Sequence, residues 1–204
     1  MPRPQLRTRK EPRQTRSQET VKTILAAATR VLAKQSLSGF NTNRVAEVAG
    51  VSVGSVYQYF PNKAALIVAL LESEHERLAS ALEATVEGCA GHSLSDSLLA
   101  LAQLAIEQQY HDPVLAAALD HEEQRLPIEA QLGRYEERML AAVMMLLEQH
   151  RAALPSGRVV PETARDLLLI ARALVEADAQ EAKQPPSGLE RRLVRAMYGY
   201  LSAP

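Results

Sequence analysis

FNTNRVAEVAGVSVGSVYQYFPNKAAL, residues 40–66, is the stretch on which the fold turns. Val45, Ala46 and Ala49 recur at helical spacing in a first short run, and Val56 anchors a second; Ala49-Gly50-Val51-Ser52 joins them. Two short helices about so tight a connection have the spacing of a helix-turn-helix. Gly50 permits the sharp turn, because a residue with a Cβ resists positive φ. Ala46 and Ala49 are small enough for close approach, and Val45, Val51 and Val56 fill the space between the helices. Thr42 is a suitable N-cap for the first helix and Ser52 for the second. Pro61 disfavours helical geometry at Phe60, which keeps the second helix short. Asn62 then caps a long helix carrying Leu66, Leu70, Leu71, Leu78, Leu82 and Val86.

The outward residues of this unit suit a nucleic acid. Val53, Gly54, Ser55, Tyr57, Gln58 and Tyr59 lie on a helix too short to need its whole circumference for packing. Small residues at its start would let the helix N-terminus approach base edges or phosphates. Tyr57 and Tyr59 would donate hydroxyl hydrogen bonds to phosphates on either flank. Lys63 lies in the first turn of the next helix, where the macrodipole disfavours a cation. A phosphate held there would remove the conflict.

Working upstream, Val21, Ile24, Leu25, Ala28, Val31 and Leu32 form one apolar stripe of a helix that begins near Thr15 or Ser17 and closes at Gly39. Residues 1–14 carry three Pro and many charges and read as a flexible arm. Charge is divided unequally along the chain. Residues 1–63 hold eleven Lys and Arg against Glu11, Glu19 and Glu47, a net of +8, so the remainder sums to −9 of an overall −1. A basic head on an acidic body suits a polyanionic partner at the head alone.

Downstream, helical periodicity persists and never gives way to strand alternation. Helices are predicted over about 93–111, 113–125, 128–153, 162–183 and 187–202, broken at Asp112-Pro113, Pro127, Pro155-Ser-Gly157 and Pro185-Pro186-Ser-Gly188. The fold class is all-α: a three-helix helix-turn-helix head and a C-terminal helical bundle. Expected boundaries are 1–16 for the arm, 17–63 for the head and 64–204 for the bundle.

The run Thr42-Asn-Arg-Val-Ala-Glu-Val-Ala-Gly-Val-Ser-Val-Gly-Ser-Val-Tyr-Gln-Tyr-Phe-Pro-Asn-Lys-Ala-Ala-Leu66 resembles the signature of tetracycline-repressor (TetR) type regulators. Their pattern is T-x-x-x-I-A-x-x-A-G-V-S-x-G-x-[IVL]-Y-x-[YH]-F-x-[NS]-K-x-x-L, and Val45 stands where Ile is common. The resemblance covers roughly residues 17–70. It implies that Thr42 meets the DNA backbone, that Asn43 or Arg44 reaches a base, and that Val53, Gly54 and Ser55 open the recognition helix. It also implies that Tyr57, Tyr59 and Lys63 contact phosphate, while Gln58 pairs with adenine or touches backbone. The arm residues Arg3, Arg7, Arg9, Lys10, Arg13 and Arg16 would follow the minor groove or neighbouring phosphates.

The same resemblance implies a ligand-responsive homodimeric transcriptional regulator, a repressor released from a palindromic double-stranded operator by a small molecule. The last two helices would form the dimer through Leu167, Leu168, Ile170, Ala171, Leu174 and Val175 and through Leu189, Leu193, Val194, Met197, Tyr198 and Leu201. Gln103, Glu107, Tyr110, His121 and Met144, with His111 and Met145, are interior-compatible candidates for the effector pocket. Met144 and Met145 serve equally as core filler.

Other classes find less support. No Gly-rich phosphate loop, nucleophile elbow or zinc spacing occurs, so no enzyme and no cofactor is expected. Asp112, Asp120, His121 and Glu122 lack a metal-ligand spacing, and no metal is expected. No 18-residue apolar run occurs, so no membrane span is expected. Lone Cys89 suits a reducing cytoplasm and a packed role. A protein-interaction adaptor with a merely solvated basic head leaves the Gly50–Lys63 pattern unexplained; salt-dependent binding to duplex DNA separates the two readings.

Overall fold

The structure, a computed structural model, describes residues 15–155, 159–181 and 184–203. Arg3, Arg7, Arg9, Lys10 and Arg13 of the expected arm lie outside them, as does the side chain of Arg16. The described residues are helical throughout, without strands: α1 Thr15–Gly39, α2 Thr42–Ala49, α3 Val53–Tyr59, α4 Lys63–Gly88, α5 Leu94–Tyr110, α6 Pro113–Arg125, α7 Glu129–Gln149, α8 Val160–Glu181 and α9 Leu189–Ser202. The helix expected to reach residue 153 instead stops at Gln149, and a single 3-10 turn, Arg151–Ala153, follows.

Two compact units divide the chain. One comprises the residues up to Glu74 together with Val114–Leu132; the other comprises His75–Pro113 and Gly133 onward. The division therefore falls within α4, and α6 groups with the N-terminal helices.

In the N-terminal unit Ile24, Ala28, Val31 and Leu32 of the α1 stripe are buried, Val21 and Leu25 are half-buried, and Ala27 joins the core. Ser36 breaks α1 near its end with φ 52° and ψ −173°, a region that side-chain-bearing residues avoid. The chain turns there so that Phe40 can enter the core, where it is fully buried. Residues 65–71 of α4 are buried without interruption, so about two turns of that helix, starting two residues after Lys63, are enclosed on every side.

In the C-terminal unit α5, α8 and α9 pack on one another. Leu189, Leu193, Met197 and Leu201 recur every fourth residue along α9 and are all buried, as are Leu167 and Val175 of α8. These six, expected at a dimer interface, are core residues of one chain. These stripes share one core with residues of α4, α5 and α7, among them Leu82, Leu98 and Leu146. On the opposite surfaces of the same helices Leu169 and Tyr198 stand 56% and 48% exposed.

A polar clamp joins α4 to α7 within this unit. Arg138 donates to both carboxylate oxygens of Glu83 at 2.8 and 2.7 Å, to Glu76 at 2.6 Å and to the Ser80 hydroxyl at 3.1 Å. Hydrogen bonds from Arg138 hold the Glu76 and Glu83 carboxyls below the usual range.

Candidate nucleic-acid interface

The turn between α2 and α3 is fixed by its backbone. Gly50 adopts φ 66° and ψ 30°, and the Val51 amide donates to the Ala46 carbonyl at 3.1 Å, a left-handed helix stop. A Cβ at Gly50 would meet no atom within 4 Å, so the glycine answers to the dihedral and not to crowding. Ser52 caps α3, its hydroxyl accepting from the Ser55 amide at 3.0 Å. Phe60 is extended at φ −120° and ψ 101°, ending α3 before Pro61, and Asn62 caps α4 by accepting from the Ala65 amide at 2.8 Å.

The cap of α2 differs from expectation. Asn41, extended at φ −149° and ψ 157°, accepts from the Arg44 amide at 2.9 Å, and Thr42 is the first helical residue. Asn is at least as good a cap as Thr, and the arrangement frees the Thr42 hydroxyl to meet the Tyr57 hydroxyl at 3.1 Å. That bond pins the start of α2 to the middle of α3.

One unit therefore brings together all the residues assigned to DNA, but not on equal terms. Asn43, Val53, Gly54, Tyr57 and Gln58 are exposed, and Arg44 and Ser55 are half-exposed. Tyr57 is 42% exposed, whereas Tyr59 is only 8% exposed and belongs to the core with Val56. Thr42 is buried beside Tyr57. The macrodipole conflict at Lys63 is resolved inside the protein: its ammonium donates to the Leu37 carbonyl at 2.9 Å and lies 5.5 Å from the centre of the Phe40 ring. Arg44 forms an ion pair of 2.6 Å with Glu47. Sequence reasoning had not assigned Glu47 or the Leu37 carbonyl; the i,i+3 spacing of Arg44 and Glu47 was the available signal for the first. Nothing local announces the second.

Gly54 has a different standing from Gly50. Its φ is ordinary for a helix, and an added Cβ would approach nothing closer than the Ser52 hydroxyl oxygen at 3.7 Å. The fold does not require glycine there.

The effector candidates fall in both units. Gln103, Glu107, Tyr110 and Met144 belong to the C-terminal unit, and His121 to the N-terminal one. Gln103, Glu107 and His121 are exposed, and Gln103 reaches Glu190 at 3.4 Å. Met144 and Tyr110 are half-buried against the core of their unit. The Tyr110 hydroxyl is buried without a hydrogen-bond partner, and burial, then the Asp178 charge, raises its pKa. Among the described residues no group of three His, Cys, Asp or Glu side chains is placed to hold a metal ion, and no helix is long and apolar enough to cross a membrane.

Comparison with known proteins agrees with this geometry. Residues 24–70 match the family described as bacterial regulatory proteins, tetR family. The chain is 41% identical over 70 residues to the HTH-type transcriptional regulator TtgR of Pseudomonas putida, covering 34% of this chain and 31% of that one. It is 29% identical over 150 residues to the HTH-type transcriptional repressor KstR of Rhodococcus jostii, covering 71% and 68%. A TetR-family regulator from Mesorhizobium loti superposes with a TM-score of 0.72 at 22% identity, over 92% of this chain and 98% of that one. The fatty acid degradation regulator FadR of Bacillus halodurans does so with 0.71 at 16%, over 87% and 97%. The match to TtgR spans about a third of that protein's length. Residues 24–70 thus carry a domain that matches the tetR family of bacterial regulatory proteins, and the chain shares its all-helical fold with the solved structures.

Proposed function

We propose that the protein is a dimeric, sequence-specific DNA-binding repressor that leaves a palindromic operator when a small molecule binds its C-terminal unit. The observation that carries the DNA reading is Gly54. A glycine in a seven-residue helix weakens that helix, its Cβ space is open, and it lies on the exposed surface of α3. A close external surface is the reason that remains, and the edges of base pairs in a major groove supply one.

Val53, Gly54 and Ser55 then open the recognition helix against bases, with Asn43 and Gln58 beside them. Tyr57, oriented by Thr42, donates to phosphate. Tyr59 acts through the position it gives α3, and Lys63 reaches phosphate by leaving the Leu37 carbonyl. Exposed Leu169 and Tyr198, with half-buried Leu168, Ile170, Ala171, Leu174 and Val194, are apolar groups of α8 and α9 left to a second copy once the buried stripes are assigned to the core. Two heads related by a two-fold axis read half-sites about 34–36 Å apart. The Tyr110 hydroxyl, which has no hydrogen-bond partner among the described residues, favours an effector that carries a hydrogen-bond acceptor. The reading places the protein in the cytoplasm, with duplex DNA, a second copy and a small molecule as partners and no catalysis.

In vitro selection from random duplex DNA at near-physiological salt tests it. One recovered palindromic motif supports a dimeric sequence-specific regulator and supplies the operator for ligand screening. Recovery of no motif, from both native and refolded ligand-stripped protein, overturns the reading.

A further inference from the structure

Several of the polar side chains that face outward from α2, α3 and the start of α4 are engaged inside the unit. Thr42 pairs with Tyr57, Ser55 with Ser52, Lys63 with the Leu37 carbonyl, and Arg44 with Glu47. Three of these pairs contain no carboxylate, and each releases at least one donor to DNA. The fourth contains a carboxylate, which repels it. Glu47 thus stands as an exposed acid within a segment of net charge +8, paired with a residue assigned to DNA.

Stability gives little reason for it. The Arg44 and Glu47 side chains are 42% and 68% exposed and lie three residues apart on one helix. Such pairs contribute a few tenths of a kcal/mol at most, and salt screens them. Its position does bear on recognition. The Glu47 carboxylate gives Arg44 much what a lone phosphate oxygen would give, one charge-assisted contact at 2.6 Å. A non-specific duplex therefore offers Arg44 little that it lacks, and Glu47 must also be brought near phosphates. A base edge presenting two acceptors, such as guanine O6 and N7, offers a bidentate contact and repays the exchange.

We propose that Glu47 is a specificity-determining residue: by occupying Arg44 it withholds that guanidinium from arbitrary phosphates, and only a duplex with a better-placed acceptor releases it. The device works by penalising the wrong partner more than by favouring the right one. It rests on the DNA-binding reading above.

The test uses the full-length protein as wild type, Glu47→Gln, Arg44→Gln and the double variant. Each is bound to the selected site and to random duplex of equal length across a salt series, after thermal melts that are expected to coincide. Glu47→Gln should bind random duplex about five- to tenfold more tightly near ~0.1 M salt, with a log–log salt slope steeper by about 0.9, the increment of one extra phosphate contact. The selected site should gain less, so the ratio of specific to random affinity falls. In the Arg44→Gln background only the smaller rise from relieved repulsion should remain. The proposal is overturned by unchanged random affinity in Glu47→Gln, or by a rise that is undiminished without Arg44, which would assign the effect to repulsion by Glu47 alone. Loss of the selected site at unaltered random affinity would also overturn it, because Glu47 would then read a base directly. A lowered melting temperature in Glu47→Gln would make the residue structural. A wild-type protein that binds no duplex fails the underlying reading, an outcome distinct from all of these.

Discussion

Replacing Gly54 by Ala should raise the stability of the protein and lower its affinity for DNA. The two effects have separate origins. In the free protein the new methyl meets no atom closer than 3.7 Å, so it introduces no strain. It removes the conformational freedom that glycine gives the unfolded chain and improves helix propensity, together up to about 1 kcal/mol. The position is in the first turn of a short helix, so about half that value is the realistic expectation. For a chain of this length, ~0.5 kcal/mol corresponds to a melting shift of about 1–2 °C. Against a groove the same methyl occupies space that the complex fills. Forced overpacking costs about 1–3 kcal/mol, which is roughly five- to 150-fold in affinity. Scanning calorimetry reads the first quantity and fluorescence anisotropy on the selected duplex reads the second. Equal DNA affinity in Gly54→Ala would refute the claim that an external surface explains the glycine. A fall in stability would refute the claim that the space around it is open.

Ser36→Gly should stabilise the N-terminal unit, because the φ 52°, ψ −173° conformation costs a serine about 1–3 kcal/mol and a glycine little; after about 0.4–1 kcal/mol for glycine's added unfolded-state freedom the net remains favourable. Denaturant titration checks this, and a lowered midpoint would contradict it. Acid should loosen the C-terminal unit through the Arg138 clamp. The Glu76 and Glu83 pKa values are lowered in the folded state, so their contribution is complete above about pH 4.3, the unfolded value, and is lost as pH falls through the folded ones. Arg138→Ala should flatten that part of the pH–stability profile, as read by calorimetry from pH 7 downward. Leu193→Ala should lower stability by about 2–5 kcal/mol because it empties a fully enclosed site in α9. Leu169→Glu, at an exposed position, should leave the protomer's helicity intact in circular dichroism and shift the dimer to monomer in sedimentation; the reverse pattern would contradict the assignment of the two faces.

What the sequence determined by itself lies where the physics is local. Gly50, Ser52, Pro61 and Asn62 define the turn and caps of the helix-turn-helix within four or five residues of themselves, and each adopts the geometry its chemistry demands. The 3.6-residue periodicity of α1 and α9 likewise identified their buried stripes before any partner was known. Tertiary structure decided what those stripes and side chains face. Periodicity locates an apolar face but not its neighbour, so Leu193 and Met197 suited a second chain, whereas the structure buries both in the core of one chain. Local chemistry could not separate Tyr57 from Tyr59; helix rotation over α2 exposed one and enclosed the other. Lys63 met a carbonyl 26 residues away, and α6 joined the N-terminal unit from across 39 residues of intervening chain, 75–113. Contacts at such separations depend on how the whole chain closes on itself, which no window of sequence encodes.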